Sequence, residues 1–172
     1  RVTQAPVAVV TGGAGFIGSN FVRYALSQHQ DWCVTTLDKL TYAGRRENLL
    51  DVMDHPRHAF VHGDIADGPV SSPLVEQSEL VVHFAAETHV DRSILAAGEF
   101  IQTDVYGTFV LLEAAREATH LRRFIQISTD EVYGSVPSGH SRETDELRPR
   151  NPSAASKAGA DRLAYSYWAT YG

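Results

Sequence analysis

The chain has 172 residues, 43% hydrophobic and 21% charged, with 13 glycines and 7 prolines, enough for one α/β domain with a sizeable core and unlike a collagen, disordered or solenoid composition. The formal charge of −6 is spread evenly, with 6 basic and 9 acidic residues in positions 1–86 against 9 and 12 in 87–172, so no basic face for nucleic acid is expected. The longest apolar runs are of strand length, no leader pattern is read at the start, and the single cysteine, Cys33, cannot close an internal disulfide, so the expected setting is a reducing cytoplasm with no membrane span.

In chain order, apolar runs recur at Val7 to Val10, Cys33 to Leu37, Ala59 to Val61, Leu80 to Phe84 and Phe124 to Ile127. Short runs of this kind, alternating with helical stretches, predict a parallel sheet covered on both faces, an α/β Rossmann-type doubly wound fold. Helical periodicity runs from Phe16 to Leu26 and from Phe100 to Ala118, where Ile101, Val105, Phe109, Leu112 and Ala115 recur at three and four. Positions 41–56, with one short amphipathic piece, and 135–152 read as loops on the ligand side. A last helix is expected to begin near Ser153, after Pro152, and to end at Gly172. Arg1 is not an initiator and Gly172 directly follows a helical pattern, so both ends read as cut.

The first strand leads directly into Thr11-Gly12-Gly13-Ala14-Gly15-Phe16-Ile17-Gly18. Gly13, Gly15 and Gly18 fit GxGxxG, and Gly12, Gly15 and Gly18 fit the looser GxxGxxG. Either pattern permits a tight strand-to-helix turn and a close approach of pyrophosphate to backbone at a helix N-terminus. The second strand ends in Asp38, 20 residues after Gly18, where a carboxylate accepts both ribose hydroxyls and repels a 2′-phosphate, which selects NAD over NADP. Asp64 and Ile65 after the third strand are placed to frame adenine. Ala85 and Ala86 after the fourth let a cofactor lie close to the sheet.

The fifth strand ends in Ser128-Thr129-Asp130-Glu131-Val132-Tyr133-Gly134. Two adjacent carboxylates can divide the work of acid and base, and such a pair can remove water from a substrate. Lys157, one of only two lysines against thirteen arginines, sits in the first turns of the last helix. The eight histidines form no convincing metal set. His55 and His58 are separated by Pro56 with no cysteine nearby, and no metal site is expected. His89, at the edge of the fourth strand, reads as a positioning residue.

These residues resemble the nucleotide-sugar branch of the extended short-chain dehydrogenases, in particular the dTDP-glucose 4,6-dehydratase family. The carrying segments are TGGAGFIGSNFV (11–22), LDKLTYAG (37–44), HGDI (62–65), HFAAETHVDRSI (83–94), FIQTDVYGTFVLLEAAR (100–116), STDEVYGS (128–135) and NPSAASKAGAD (151–161). The resemblance implies oxidation at sugar C4 with NAD as hydride carrier, loss of water across C5 and C6, and hydride return to C6. It implies that Asp130 protonates the departing 6-hydroxyl, Glu131 takes the C5 proton, Thr129 bonds the 4-hydroxyl and Thr88 faces the substrate. Gly12, Gly15, Phe16, Ile17 and Gly18 would cradle pyrophosphate, Asp38 and Lys39 the adenosine ribose, and Asp64 with Ile65 the adenine. Ala85, Ala86 and Thr103 would line the cofactor side, and Lys157 would hold the nicotinamide ribose. The implied partners are a nucleotide-activated hexose and a second copy of the chain, through helices at 100–118 and 153–171.

Three departures stand out. Ser153 occupies the tyrosine position of the family's YxxxK motif, and a serine hydroxyl is shorter and far less acidic than a phenol. Asp104 stands where asparagine follows the threonine of FxxTN, which is expected to disturb a buried contact. Family members also continue well beyond position 172, so residues 1–172 read as an NAD-binding domain lacking its C-terminal substrate lobe. The alternatives are a catalytically silent binding module, favoured by Ser153, and a related 4-epimerase, disfavoured by the Asp130-Glu131 pair.

Overall fold

The computed structural model describes residues 7–172. Strands β1 (Val7–Thr11), β2 (Cys33–Asp38), β3 (His58–His62), β4 (Leu80–His83) and β5 (Arg123–Gln126) form one sheet in the order β3-β2-β1-β4-β5. Every pairing is parallel, which explains why β1 and β4 read as apolar runs up to their last residue, while β2 carries Thr35 and Thr36 within its run. Successive residues serve opposite faces. Val10 packs with Val22, Ala25, Val34 and Leu49 on one side, and Val9 packs with Leu37, Val75, Val81 and Leu111 on the other.

The chain leaves β1 first toward β2 and later, through β4, in the other direction. The strand order therefore reverses between β1 and β4, and a crevice opens beyond their carboxyl ends, where open α/β sheets bind ligands. Helix α1 (Phe16–Gln28) joins β1 to β2. Arg57 closes its C-terminal end: the guanidinium donates to the carbonyls of Leu26 in the last turn, of the cap residue His29 and of Trp32 in the turn beyond at 2.7–2.8 Å, a cation at the negative end of the helix. A 3₁₀ turn (Arg46–Leu49) is the short amphipathic piece between β2 and β3.

Helix α2 (Gly68–Glu76) supplies the crossover from β3 to β4, which the periodicity did not reveal. Gly68, Pro69 and Pro73 hide it: Pro69 lies in the first turn, where a missing N–H costs nothing, while Pro73 interrupts the pattern. Between β4 and β5 lie α3 (Val90–Leu95), α4 (Ala97–Phe100), a π-helical segment (Ile101–Gly107) and α5 (Thr108–Glu117). The single α-helix expected from Phe100 to Ala118 thus has a widened stretch in its first half. There Ile65 packs so closely on Gly107 that a Cβ at that position would lie 2.5 Å from the isoleucine Cδ1.

Helix α6 (Pro152–Tyr171) begins one residue earlier than expected, capped by the Asn151 side chain, which accepts from the Ala154 amide at 2.7 Å. Gly172 follows with φ +89, the left-handed conformation that glycine supplies at helix ends. No helix among the described residues is long and apolar enough to cross a membrane.

Candidate functional site

A cleft of about 790 Å³ lies over the carboxyl ends of the strands. The Gly12–Gly18 turn forms its floor. Gly12 has φ +69, and a Cβ there would sit 2.5 Å from the Ala85 nitrogen; a Cβ on Gly18 would collide with the Gly12 carbonyl oxygen. Gly12, Gly15 and Gly18 line the cleft, whereas Gly13 faces Thr36 of β2. The looser glycine pattern is therefore the one that meets the cleft. Gly15 caps α1 without a side chain, so the first-turn amides have no side-chain cap and no intrahelical acceptor, and Gly15, Phe16, Ile17 and Gly18 all line the space.

At one end, Asp38 is 8% exposed, and its carboxylate accepts from the amides of Ala14 (2.9 Å) and Leu40 (2.8 Å). Lys39 pairs with Asp64 at 2.7 Å. That hydrogen bond outweighs partial burial and raises the lysine above its usual range. Asp64 also accepts from the Ala66 amide, and Ile65 is buried against the cleft wall. Above β4, Ala85 and Ala86 line the cleft, with Thr103 from the π segment. Thr88 is held by Tyr42, whose hydroxyl donates to the Thr88 carbonyl at 2.6 Å and accepts from its amide at 2.9 Å. Arg92 lies 3.9 Å over the Tyr42 ring. His89 sits in the same wall with φ +73.

At the other end, Thr129 opens a 3₁₀ turn (Asp130–Tyr133) and its hydroxyl accepts from the Glu131 amide. Glu131 lines the cleft and accepts from the Asn151 side chain at 3.4 Å. Asp130 is not among the lining residues. It is exposed and accepts from the Thr129 hydroxyl at 3.3 Å. Successive side chains on a 3₁₀ turn diverge by roughly 120°, so the two carboxylates point in different directions. Ser153 and Lys157, one turn apart on α6, both line the cleft. Lys157 donates to the Ile127 carbonyl at 2.6 Å; burial lowers it below the usual lysine range, while Asp104 and Asp161 oppose that shift.

Asp104 corrects an expectation. It is 1% exposed, yet it disturbs no contact: one oxygen accepts from the Glu87 amide at 2.9 Å and the other from Ser156 at 2.6 Å. Three further side chains belong to the site and went unread. Glu87, 9% exposed, has one carboxylate oxygen without a partner, as has the Ser128 hydroxyl, and both residues line the cleft. Asn151 joins Glu131 to the start of α6. Only Asn151 carried a sequence signal, the Asn-Pro pair of a helix start. No group of three or more His, Cys, Asp or Glu that could hold a metal ion occurs among the described residues.

Comparison with known proteins gives a consistent picture. Residues 9–172 match the model of the family described as GDP-mannose 4,6 dehydratase. The chain is 56% identical over 163 residues to the low-salt glycan biosynthesis protein Agl12 of Haloferax volcanii, covering 95% of this chain and 52% of that protein. It is 51% identical over 167 residues to a dTDP-glucose 4,6-dehydratase of Mycobacterium tuberculosis, covering 95% and 49%. The crystal structure of DesIV, a dTDP-glucose 4,6-dehydratase from Streptomyces venezuelae with NAD and TYD bound, superposes with TM-score 0.92 at 50% identity, covering 96% of this chain and 52% of that one. The chain spans about half the length of the curated relatives it matches.

Proposed function

The chain belongs to the GDP-mannose 4,6 dehydratase family, and we propose that residues 1–172 form the NAD-binding domain of a nucleotide-sugar 4,6-dehydratase that acts on dTDP-glucose. One observation carries the reading: a single cleft joins a side-chain-free glycine turn and a buried strand-end acid, Asp38, to Thr129, Glu131 and Lys157 at its other end. The residues fit a dinucleotide. The glycine turn is so close to Ala85 and to itself that no Cβ is tolerated at Gly12 or Gly18, and the uncapped start of α1 offers donors to phosphate.

NAD, when bound, supplies the hydride acceptor and donor for the chemistry at C4 and C6. Asp38 would accept from the adenosine ribose, with Lys39 beside it, and Asp64 and Ile65 would frame the base. Lys157, anchored on Ile127, would hold the nicotinamide ribose. Thr129 would bond the 4-hydroxyl. Glu131, kept in place by Asn151, would take the C5 proton, and Asp130, at the rim, would protonate the leaving 6-hydroxyl once a sugar brings that oxygen to it.

A second reading, a binding module without turnover, is favoured by Ser153, which lines the cleft where a proton acceptor is needed. An exposed aromatic surface on the helices, with Tyr106 46%, Phe109 39%, Tyr165 54% and Trp168 66% accessible, supports a homodimer. The lone cysteine, Cys33, supports a cytoplasmic setting.

Calorimetric titration with NAD and NADP tests the reading. The Asp38 carboxylate lies where a 2′-phosphate would meet like charge, so NAD is expected to bind at least about tenfold more tightly, about 1.4 kcal/mol. Equal affinities, or none, would overturn it.

A further inference from the structure

Asp104 sits in the π-helical segment, next to Thr103 in the cleft wall, and ties three elements together. One carboxylate oxygen receives the backbone N–H of Glu87, on the loop after β4, at 2.9 Å. The other receives the Ser156 hydroxyl of α6 at 2.6 Å, and that hydroxyl also lies 2.8 Å from the Ser153 carbonyl. The Asp104 carbonyl accepts from Thr108, which contacts His83 in turn. Ser156 adjoins Lys157 in sequence and follows Ser153 by three positions, so whatever fixes Ser156 fixes the turn that presents both residues to the cleft.

We propose that Asp104 is a positioning residue of this cleft: its buried carboxylate ties the start of α6 to the β4 loop through Ser156 and places a buried negative charge against the helix turn that carries Lys157. A carboxylate is suited to the place because the amide on one side can only donate, and the hydroxyl on the other donates its one proton between the carboxylate and the Ser153 carbonyl. Burial raises Asp104 above its ordinary range; the hydrogen bonds from Ser156 and the Glu87 amide and the charge of Lys157 oppose that shift, and the Glu87 carboxylate adds to it. The charged and titratable groups that bear on the pair are Glu87 from the β4 loop, His83 from β4 and Asp161 on α6.

The chain's two lysines, Lys39 and Lys157, make the test direct. In protein labelled with ¹³C-lysine, each Cε signal reports one ammonium, Lys157→Met assigns them, and Lys39 with its Asp64 partner serves as the internal control. Asp104→Asn can keep both hydrogen bonds, accepting from Glu87 and donating to Ser156, and so removes charge alone. It is expected to lower the Lys157 midpoint by about one pH unit or more and to leave Lys39 unmoved; an unchanged Lys157 midpoint overturns the proposal. If Asp104→Asn does not fold, the Asp161→Asn protein is used instead. Its Lys157 signal is expected to show a second inflection at acid pH as Asp104 takes its proton, and a flat signal overturns the proposal.

The binding arm rests on the cofactor role given to Lys157 above. NAD affinity is expected to decline at a pH about one unit lower in Asp104→Asn than in the parent. A shifted lysine with no matching shift in NAD affinity upholds the role of Asp104 and refutes the cofactor reading of Lys157.

Discussion

Thr11 and His83 face each other in register across the β1–β4 pair, and their side chains share a hydrogen bond of 2.6 Å beneath the glycine turn. The other ring nitrogen of His83 lies 3.0 Å from the Thr108 hydroxyl. A neutral imidazole, donor on one nitrogen and acceptor on the other, satisfies both threonines, whereas an imidazolium would have to shed its water with no anion to replace it. Burial accordingly lowers this histidine to about 3.

Acid should therefore weaken the fold from neutrality downward. Below about 6.5 the unfolded chain takes a proton at position 83 and the folded chain does not, so the stability is complete above that pH and is lost as pH falls toward about 3. Between pH 7 and 5 this one group is expected to remove about 2 kcal/mol, read by urea unfolding. His83→Gln lowers stability at pH 7 but lacks this component, so the gap between the two proteins narrows as pH falls. A gap that stays constant would contradict the assignment.

Arg57 is a second structural commitment. Its guanidinium donates to the carbonyls of Leu26 in the last turn of α1, of the cap residue His29 and of Trp32 in the turn beyond, and a hydrogen bond to a charged group contributes about 1.5–3 kcal/mol net when buried, less at this half-exposed side chain. Arg57→Ala is expected to cost about 2 kcal/mol in chemical denaturation, and Arg57→Lys to recover little, since an ammonium cannot span the three acceptors as a planar fork does. Equal stability of the parent and Arg57→Ala would remove this cap from the account.

The glycine turn makes a sharper claim. Because a Cβ at position 18 would meet the Gly12 carbonyl, Gly18→Ala has to displace backbone rather than a flexible side chain. An overpacking cost of about 1–3 kcal/mol is expected, together with loss of most NAD affinity. Gly13→Ala presses instead on the Thr36 side chain, with a Cβ 2.7 Å from its Cγ2, and is expected to reduce stability while sparing binding. Calorimetry of the two variants separates the glycine that shapes the cleft from the one that packs the sheet.

The sheet was legible in the sequence because strands buried on both faces leave apolar runs, and the cleft because its glycines and Asp38 lie within one strand-turn-helix-strand stretch. What escaped had physical reasons. Helix α2 was masked by Pro69 and Pro73. The π segment keeps the apolar spacing of an α-helix and changes only the hydrogen-bond register, which the residue types do not encode. Asp104 read as a disturbance because its partner, Ser156, is 52 positions away and nothing local announces it. Asp130 and Glu131 read as one pair, yet the 3₁₀ turn sends them in different directions.

Ser153 poses the last test. In the proposed reaction, oxidation at C4 needs a group to accept the hydroxyl proton as hydride departs, and a positioned general base typically contributes about 10²–10⁴-fold. The side chains near this end are Thr129, Glu131, Ser153 and Lys157. Lys157 is occupied by the Ile127 carbonyl, the Thr129 hydroxyl accepts from the Glu131 amide, and neither a serine nor a threonine hydroxyl takes up a proton at neutral pH as a tyrosinate does. Tyrosine at 153 would stand one helical turn before Lys157, with its hydroxyl further into the cleft and beside an ammonium that lowers its pKa. On the function proposed above, assayed with dTDP-glucose, the expected result is that Ser153→Tyr raises kcat at least about a hundredfold while the affinity for NAD changes little. Comparable rates in the two forms would mean that another group serves as base. No rate in either, with NAD and nucleotide sugar both bound, would favour the silent module, because Thr129, Glu131 and Lys157 would then be in place without being used.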